Sequence, residues 1–238
     1  MPPQETIQLQ PTREGGIHCS AWLDRHLYHS QDGIRIFCGN NREIVPMLGE
    51  YDLLLTDPPY GIGVGQRKTW GSSNKGKVSE YAKSSWDDAP PQMWELGMMM
   101  AKAKWQILWG GNYYGMPAAR GWLVWDKDNT GDFADCELAW TNLDMAIRKL
   151  KHRWNGMLQQ NMAEKETRWH PTQKPQPLME WCIGHCPEAK TILDPWAGSG
   201  TTLIAARAKG LKADGIEINE QYCEAAKQRL SQGVLLAV

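Results

Sequence analysis

Residues 191 to 230 constrain the fold more than any other stretch. Thr191-Ile192-Leu193-Asp194 is a short apolar run closed by an acid, and Pro195 to Gly200 is a turn carrying Gly198 and Gly200. Thr201 to Lys209 then has helical character, with Gly210 as its stop. Lys212 to Glu217 reads as a second strand that again ends in an acid. Asn219 can cap a helix from Glu220 to Leu230, with Tyr222, Ala225, Ala226 and Leu230 near one face. Strand, glycine turn, helix, strand, acid is the order of the nucleotide-binding half of a doubly wound α/β fold. Glu217 follows the turn by roughly the 20 residues that place an acid on a ribose diol. Gly198-Ser199-Gly200 lacks the third glycine of the dinucleotide fingerprint and the Gly-Lys-Ser/Thr ending of a triphosphate loop. A zwitterionic ligand without phosphates fits such a turn better; the plain alternative is a tight packing turn.

A second stretch shows the same abrupt end. Asp52 to Thr56 is centred on Leu53, Leu54 and Leu55, and it runs into Asp57-Pro58-Pro59-Tyr60. It reads as a buried strand of a parallel sheet that must stop where the prolines remove two N–H donors and fix φ. A carboxylate before this stiff step and a phenol ring after it can hydrogen-bond a planar exocyclic amine and stack on its ring. A strand followed by an inert Pro-Pro turn is the bland alternative.

Three motifs in one order carry a family resemblance. Asp57-Pro58-Pro59-Tyr60 resembles the catalytic motif of amino-type DNA methyltransferases. Asp194-Pro195-Trp196-Ala197-Gly198-Ser199-Gly200-Thr201-Thr202 resembles their S-adenosylmethionine motif, and His170-Pro171-Thr172-Gln173-Lys174-Pro175 resembles the flanking cofactor motif. With the catalytic motif first and the cofactor motif last, the chain from Ile34 to Leu230 is similar to the β group. The resemblance implies a Rossmann-like, S-adenosylmethionine-dependent methyltransferase fold: α/β, a mostly parallel seven-stranded sheet with an antiparallel edge pair. Strands are expected near Ile34, Leu53, Ile107, Leu123, Leu138, Ile192 and Ile216, with 121–127 and 137–141 forming the edge pair. It also implies Asp57, Pro58, Pro59 and Tyr60 as catalytic residues. Asp194, Pro195, Trp196, Gly198, Ser199, Gly200, Thr201, Thr202 and Glu217 would bind S-adenosylmethionine, with Thr172 and Lys174 at its methionine end. Trp196 stands where the family usually has Phe. Asn40 stands at the strand end where the family carries an acid for the adenine amine; its side-chain carbonyl can accept the same bond, and capping a helix is its equally open alternative.

The rest of the chain bears on the partner. Formal charge is −1 over 238 residues, so any DNA contact must come from a local basic patch. Residues 1–32 read as an N-terminal extension with one possible helix near 21–27, and 33–233 as the methyltransferase domain. Residues 61–91 form a long polar segment with Arg67, Lys68 and interleaved aromatics, expected to be a mobile loop that contacts DNA. Residues 142–169 read as a small target-recognition insertion holding the densest basic cluster: Arg148, Lys149, Lys151 and Arg153, with Trp154 as a stacking ring. A solvated charged face is the alternative. The insertion is short for recognition, which leaves part of the specificity to the loop after Tyr60 or to the second subunit of a homodimer. Cys19, Cys38, Cys136, Cys182, Cys186 and Cys223 are scattered as reduced core thiols would be, and no second ligand cluster accompanies Cys182, His185 and Cys186, so no metal is expected. With no apolar run long enough for a bilayer, the expectation is a cytoplasmic protein of a bacterial cell or phage-infected host.

The resulting expectation is methyl transfer from S-adenosylmethionine to N6 of adenine in double-stranded DNA, with the base flipped out of the helix. Asp at the first motif position favours adenine in the family as a tendency. The alternatives are cytosine N4 as target, a protein glutamine methyltransferase, and a non-catalytic DNA-binding remnant.

Overall fold

Leu53, Leu54 and Leu55 are fully buried, and they alternate between two hydrophobic cores on opposite faces of one sheet. Each fully buried leucine contributes about 1.5–3 kcal/mol. The computed structural model describes residues 19–63, 69–70, 79–80, 89–129, 134–155, 158–163, 166–170 and 172–232.

The first half of the chain forms α1 (Cys19–His26), β1 (Leu27–Gln31), β2 (Ile34–Cys38), α2 (Asn41–Met47), β3 (Tyr51–Thr56), β4 (Thr69–Trp70), β5 (Ser79–Glu80), α3 (Met93–Met100) and β6 (Ala103–Trp109). A 3-10 turn at Gly111–Tyr113 leads to β7 (Trp122–Asp126), β8 (Cys136–Thr141), β9 (Arg148–Lys151), β10 (Trp154–Asn155) and β11 (Leu158–Gln159). The cofactor half supplies α4 (Gln176–Gly184), β12 (Thr191–Asp194), α5 (Thr201–Ala208), β13 (Lys212–Glu217) and α6 (Glu220–Gln232).

Among the described residues the main sheet runs β1-β2-β13-β12-β3-β6-β8-β7-β9, and β4–β5 and β10–β11 are separate two-stranded ladders. From β2 to β6 every neighbour is parallel, with Leu53 beside Ile192 on one side and Trp105 on the other. One core is closed by α4, α5 and α6 through residues such as Leu178, Leu203 and Cys223. The other is closed by α2 and α3 through Ile44, Val45, Leu96 and Met99. This is the expected α/β methyltransferase architecture. Among the described residues no helix is long and apolar enough to cross a membrane.

Among the described residues the main sheet has nine strands rather than seven. The first addition, β1, pairs antiparallel with β2. Asp32 (φ 52°) and Gly33 (φ 79°) join them, both left-handed, as the two-residue turn of a twisted hairpin requires. The Gln31-Asp32-Gly33-Ile34 sequence carries that signal, so the boundary drawn after residue 32 cuts a hairpin and is corrected. Residues 19–31 belong to the folded domain, with Trp22, Leu23 and Leu27 packed against its core.

The second addition is β9, built from the basic cluster. It runs parallel to β7, with Lys149 beside Val124 and Lys151 beside Asp126. The expected β7–β8 antiparallel pair forms, yet β8 inserts between β6 and β7, and β9 makes the edge instead. Lysines along an edge strand keep its unpaired backbone from recruiting another chain, a use of cationic sequence that competes with DNA contact.

Candidate active site

Because β3 and β12 are adjacent and parallel, both chains leave the sheet at the same rim. Asp57 follows the tip of β3, and Asp194 closes β12. The two tips are tied directly: Thr56 Oγ1 donates to Asp194 Oδ1 at 2.7 Å, and the Trp196 N–H donates to the same oxygen at 3.2 Å. Asp194 is 3% exposed, and burial raises its carboxyl to about 6. It is a tie between the strands.

The glycine turn is clamped from two sides. Arg229 of α6 donates to the Ser199 carbonyl at 2.7 Å and to Thr201 Oγ1 at 3.1 Å, while Ser199 Oγ meets Gln173 Oε1 at 3.3 Å. Ser199, Thr201 and Thr202 are all buried, so their side chains hold the turn. At Gly200 (φ 79°) a Cβ would fall 2.7 Å from the Ala226 Cβ, so only glycine lets α6 approach. Gly198 (φ 52°) differs: a Cβ there would meet nothing within 4 Å, so the space above the turn is open. Glu217, at the tip of β13, faces it and accepts from the N–H groups of Gly198 (2.9 Å) and Asn219 (2.8 Å). Burial pushes the Glu217 carboxyl up to about 7, with the two N–H bonds pulling against it. Pro195 turns its carbonyl to Asn41 Nδ2 at 3.0 Å, and Trp196 is half-buried against the second core.

Across the rim, the Tyr60 hydroxyl donates to Asp57 Oδ1 at 2.6 Å. The Tyr60 ring lies stacked on Tyr113, centroids 4.7 Å apart at 15°. The Tyr114 hydroxyl donates to the Pro58 carbonyl at 2.9 Å and lies 3.2 Å from that of Pro59, which fixes the Pro-Pro step. Gly110 (φ 73°) passes so close to the Tyr60 ring that a Cβ would sit 2.1 Å from it.

Lys174 is the departure from expectation. Read as a contact at the cofactor's methionine end, it is instead 5% exposed, and its ammonium is bonded to Asp57 Oδ2. The same Nζ lies 3.1 Å from Glu137 Oε2 and 3.3 Å from the Tyr60 hydroxyl. Lys127 Nζ meets the other Glu137 oxygen at 2.5 Å. Burial pushes the Asp57 carboxyl up, with Lys174 pulling it back and Glu137 pushing it further. For Glu137 burial also works upward, but Lys174 and Lys127 outweigh it and hold it at about 2. Sequence reasoning missed Glu137. The available signal was an acid inside the otherwise apolar run Leu138-Ala139-Trp140, opposite Trp125.

The remaining expected residues are dispersed. Asn40 caps α2, accepting from the Arg42 N–H at 3.0 Å. The Thr172 N–H donates to His170 Nδ1 at 3.2 Å. Arg67 and Lys68 lie outside the described residues, as does most of the 61–91 segment. Lys149 pairs with Asp126, and Lys151 and Arg153 pair with Asp128, while Arg148 is exposed. Trp154 is corrected: it is 5% exposed and its indole N–H donates to the Gln173 carbonyl at 2.9 Å. Its ring belongs to the core and is not offered to a base. Among the described residues no group of three or more His, Cys, Asp and Glu could hold a metal ion.

Comparison with known proteins gives the chain's family and fold. A family model described as DNA methylase, of N6 and N4 methyltransferases, matches residues 84–228. The Type II methyltransferase M2.LlaDCHI of Lactococcus lactis subsp. cremoris is 27% identical over 227 residues, covering 76% of this chain and 82% of the relative. The DNA adenine methyltransferase YhdJ of Escherichia coli (strain K12) is 45% identical over 62 residues, 26% of this chain and 21% of the relative. The crystal structure of the M1.HpyAVI–SAM complex superposes with a TM-score of 0.52 at 19% identity, covering 82% of this chain and 99% of that one.

Proposed function

The chain belongs to the DNA methylase family of N6 and N4 methyltransferases, and from that premise we propose that it methylates N6 of adenine in double-stranded DNA at the Asp57 rim. S-adenosylmethionine is the family's methyl donor, and the residues present fit it: the open space over Gly198 faces a carboxylate at Glu217 able to accept from ribose hydroxyls. When bound, it supplies an electrophilic methyl group on a sulfonium.

The observation that carries the proposal is the direct tie between the two tips, Thr56 to Asp194, which sets the catalytic carboxylate beside the cofactor turn on one rim. An exocyclic amine conjugated to its ring is a poor nucleophile. Asp57 and the Pro58 carbonyl, held by Tyr114, accept hydrogen bonds from that amine and favour a pyramidal nitrogen with an exposed lone pair. With S-adenosylmethionine bound, its sulfonium would give up the methyl and keep the electrons of the broken carbon–sulfur bond, while Asp57 would take the proton shed by the nitrogen and pass it to solvent. The base must leave the duplex, at a cost of a few kcal/mol, and the Tyr60–Tyr113 rings offer a face that offsets lost stacking.

Adenine is favoured by the acid at the first motif position and by the local similarity to a protein named as a DNA adenine methyltransferase. Nucleoside analysis by mass spectrometry of duplex DNA treated with the protein and S-adenosylmethionine tests the choice. N6-methyladenine is expected; N4-methylcytosine would move the target to cytosine.

A further inference from the structure

The buried charges beside Asp57 alternate in sign along one chain: Asp57, Lys174, Glu137, Lys127. Their side chains are 5–20% exposed, and the four sum to zero. An isolated ion pair would already neutralise Asp57, so the second pair calls for its own account. We propose that Glu137 is a positioning residue for methyl transfer: it divides the Lys174 ammonium between two carboxylates and so leaves Asp57 basic enough to take the amine's proton. This rests on the amine-methylation reading above.

The argument is one of donors and acceptors. An ammonium has three donors and no acceptor. Lys174 has three oxygens in reach: Asp57 Oδ2, Glu137 Oε2 at 3.1 Å and the Tyr60 hydroxyl at 3.3 Å. Were all of it given to Asp57, the carboxylate would be a tight, buried ion pair, which is a weak base and a poor acceptor. Glu137 draws the ammonium back. Lys127, at 2.5 Å on its far oxygen, keeps Glu137 ionised while it does so. Glu137 Oε2 also lies 3.3 Å from the Tyr60 hydroxyl, the group that donates to Asp57 Oδ1. It therefore touches both partners of the catalytic carboxylate.

The groups that set Asp57 come from every element around it. Lys174 arrives from the segment before α4, Glu137 from β8, Lys127 from the end of β7 and Tyr60 from its own turn. Asp194 stands at the neighbouring tip, and Tyr114 acts through the Pro58 carbonyl. His170, behind Lys174, is held neutral, pulled down to about 3 by burial and then by the charge of Lys174.

The test is the pH dependence of kcat/KM for DNA at saturating S-adenosylmethionine, where Glu217 is already engaged and Asp194 is common to all variants. Glu137→Gln should lower kcat by up to about tenfold, the most that one unit of basicity supplies. It should also move the acid limb down by about one pH unit, since a like charge beside Asp57 is gone. Lys174→Gln should move that limb up. The dissociation constant for S-adenosylmethionine should not change in Glu137→Gln. A lost kcat with an unmoved limb would reduce Glu137 to a structural part and overturn the proposal, as would a wild-type rate. If Glu137→Gln fails to fold, Glu137→Asp carries the test: its carboxylate retreats from Lys174 by one methylene, so kcat and the acid limb should both fall, each by less than in Glu137→Gln, and a lost kcat with an unmoved limb, or an unchanged enzyme, overturns it. Wild-type protein that labels no DNA at all would instead show that the amine reading has failed, and the proposal with it.

Discussion

At Gly110 a single methyl group would meet the Tyr60 ring at 2.1 Å, with the backbone held at φ 73°. Gly110→Ala should therefore push the phenol off Asp57 and off its stacked partner Tyr113. Steady-state kinetics should show kcat reduced about a hundredfold. Binding of S-adenosylmethionine should be unchanged by calorimetry; equal loss of both would mean that Gly110 supports the whole rim. At this scale the Asp57–Tyr60 step was legible as the abrupt end of a buried strand, because two consecutive prolines cannot continue a ladder. Glu137 was not, because an acid in a strand reveals its partners only once β8 lies between β6 and β7. Lys174 was placed with the cofactor by its neighbours in sequence, and only the fold shows that it turns to Asp57.

Among the elements, the β12–α5–β13 unit makes its own prediction through Glu217. Burial pushes its carboxyl up to about 7, and ribose hydroxyls would donate to its ionised form. The charged fraction rises as pH passes upward through that value, so affinity for S-adenosylmethionine should rise with it. Between pH 6 and pH 8 the gain is about tenfold, measured by calorimetry, and Glu217→Gln should flatten the curve. A wild-type affinity that falls over this range would contradict the assignment. The β10 ladder makes a different one. Trp154 packs in the core and donates to the Gln173 carbonyl, so Trp154→Ala should cost about 3–5 kcal/mol in denaturant unfolding. A stable variant with weakened DNA binding would restore the stacking role that burial denies it. The cofactor half was legible at element scale because its strand, turn and helix signals are contiguous. The edges were not. β1 depends on a hairpin turn whose Asp-Gly signal straddled a supposed boundary, and β9 owes its strand to pairing with β7 despite a cationic sequence.

For the molecule as a whole, DNA affinity must be assembled from local charge, since the net charge is −1. On β9, Lys149 and Lys151 are already paired with Asp126 and Asp128, whose carboxyls they help hold below the ordinary range. If these lysines also meet phosphates, Lys149→Ala and Lys151→Ala should each weaken binding on every sequence and flatten the slope of log affinity against log salt by about one. Unchanged slopes would leave β9 as an edge strand only.

The central claim is that Asp57 and the Gly198–Gly200 turn form one site that methylates a base. Transfer of a labelled methyl group from S-adenosylmethionine to duplex DNA, measured with wild type and Asp57→Ala, tests it most directly. Label should enter DNA with wild type and be abolished in Asp57→Ala, while that variant binds the cofactor as wild type does. Label appearing in protein instead of DNA, or an Asp57→Ala variant that still methylates, would contradict it.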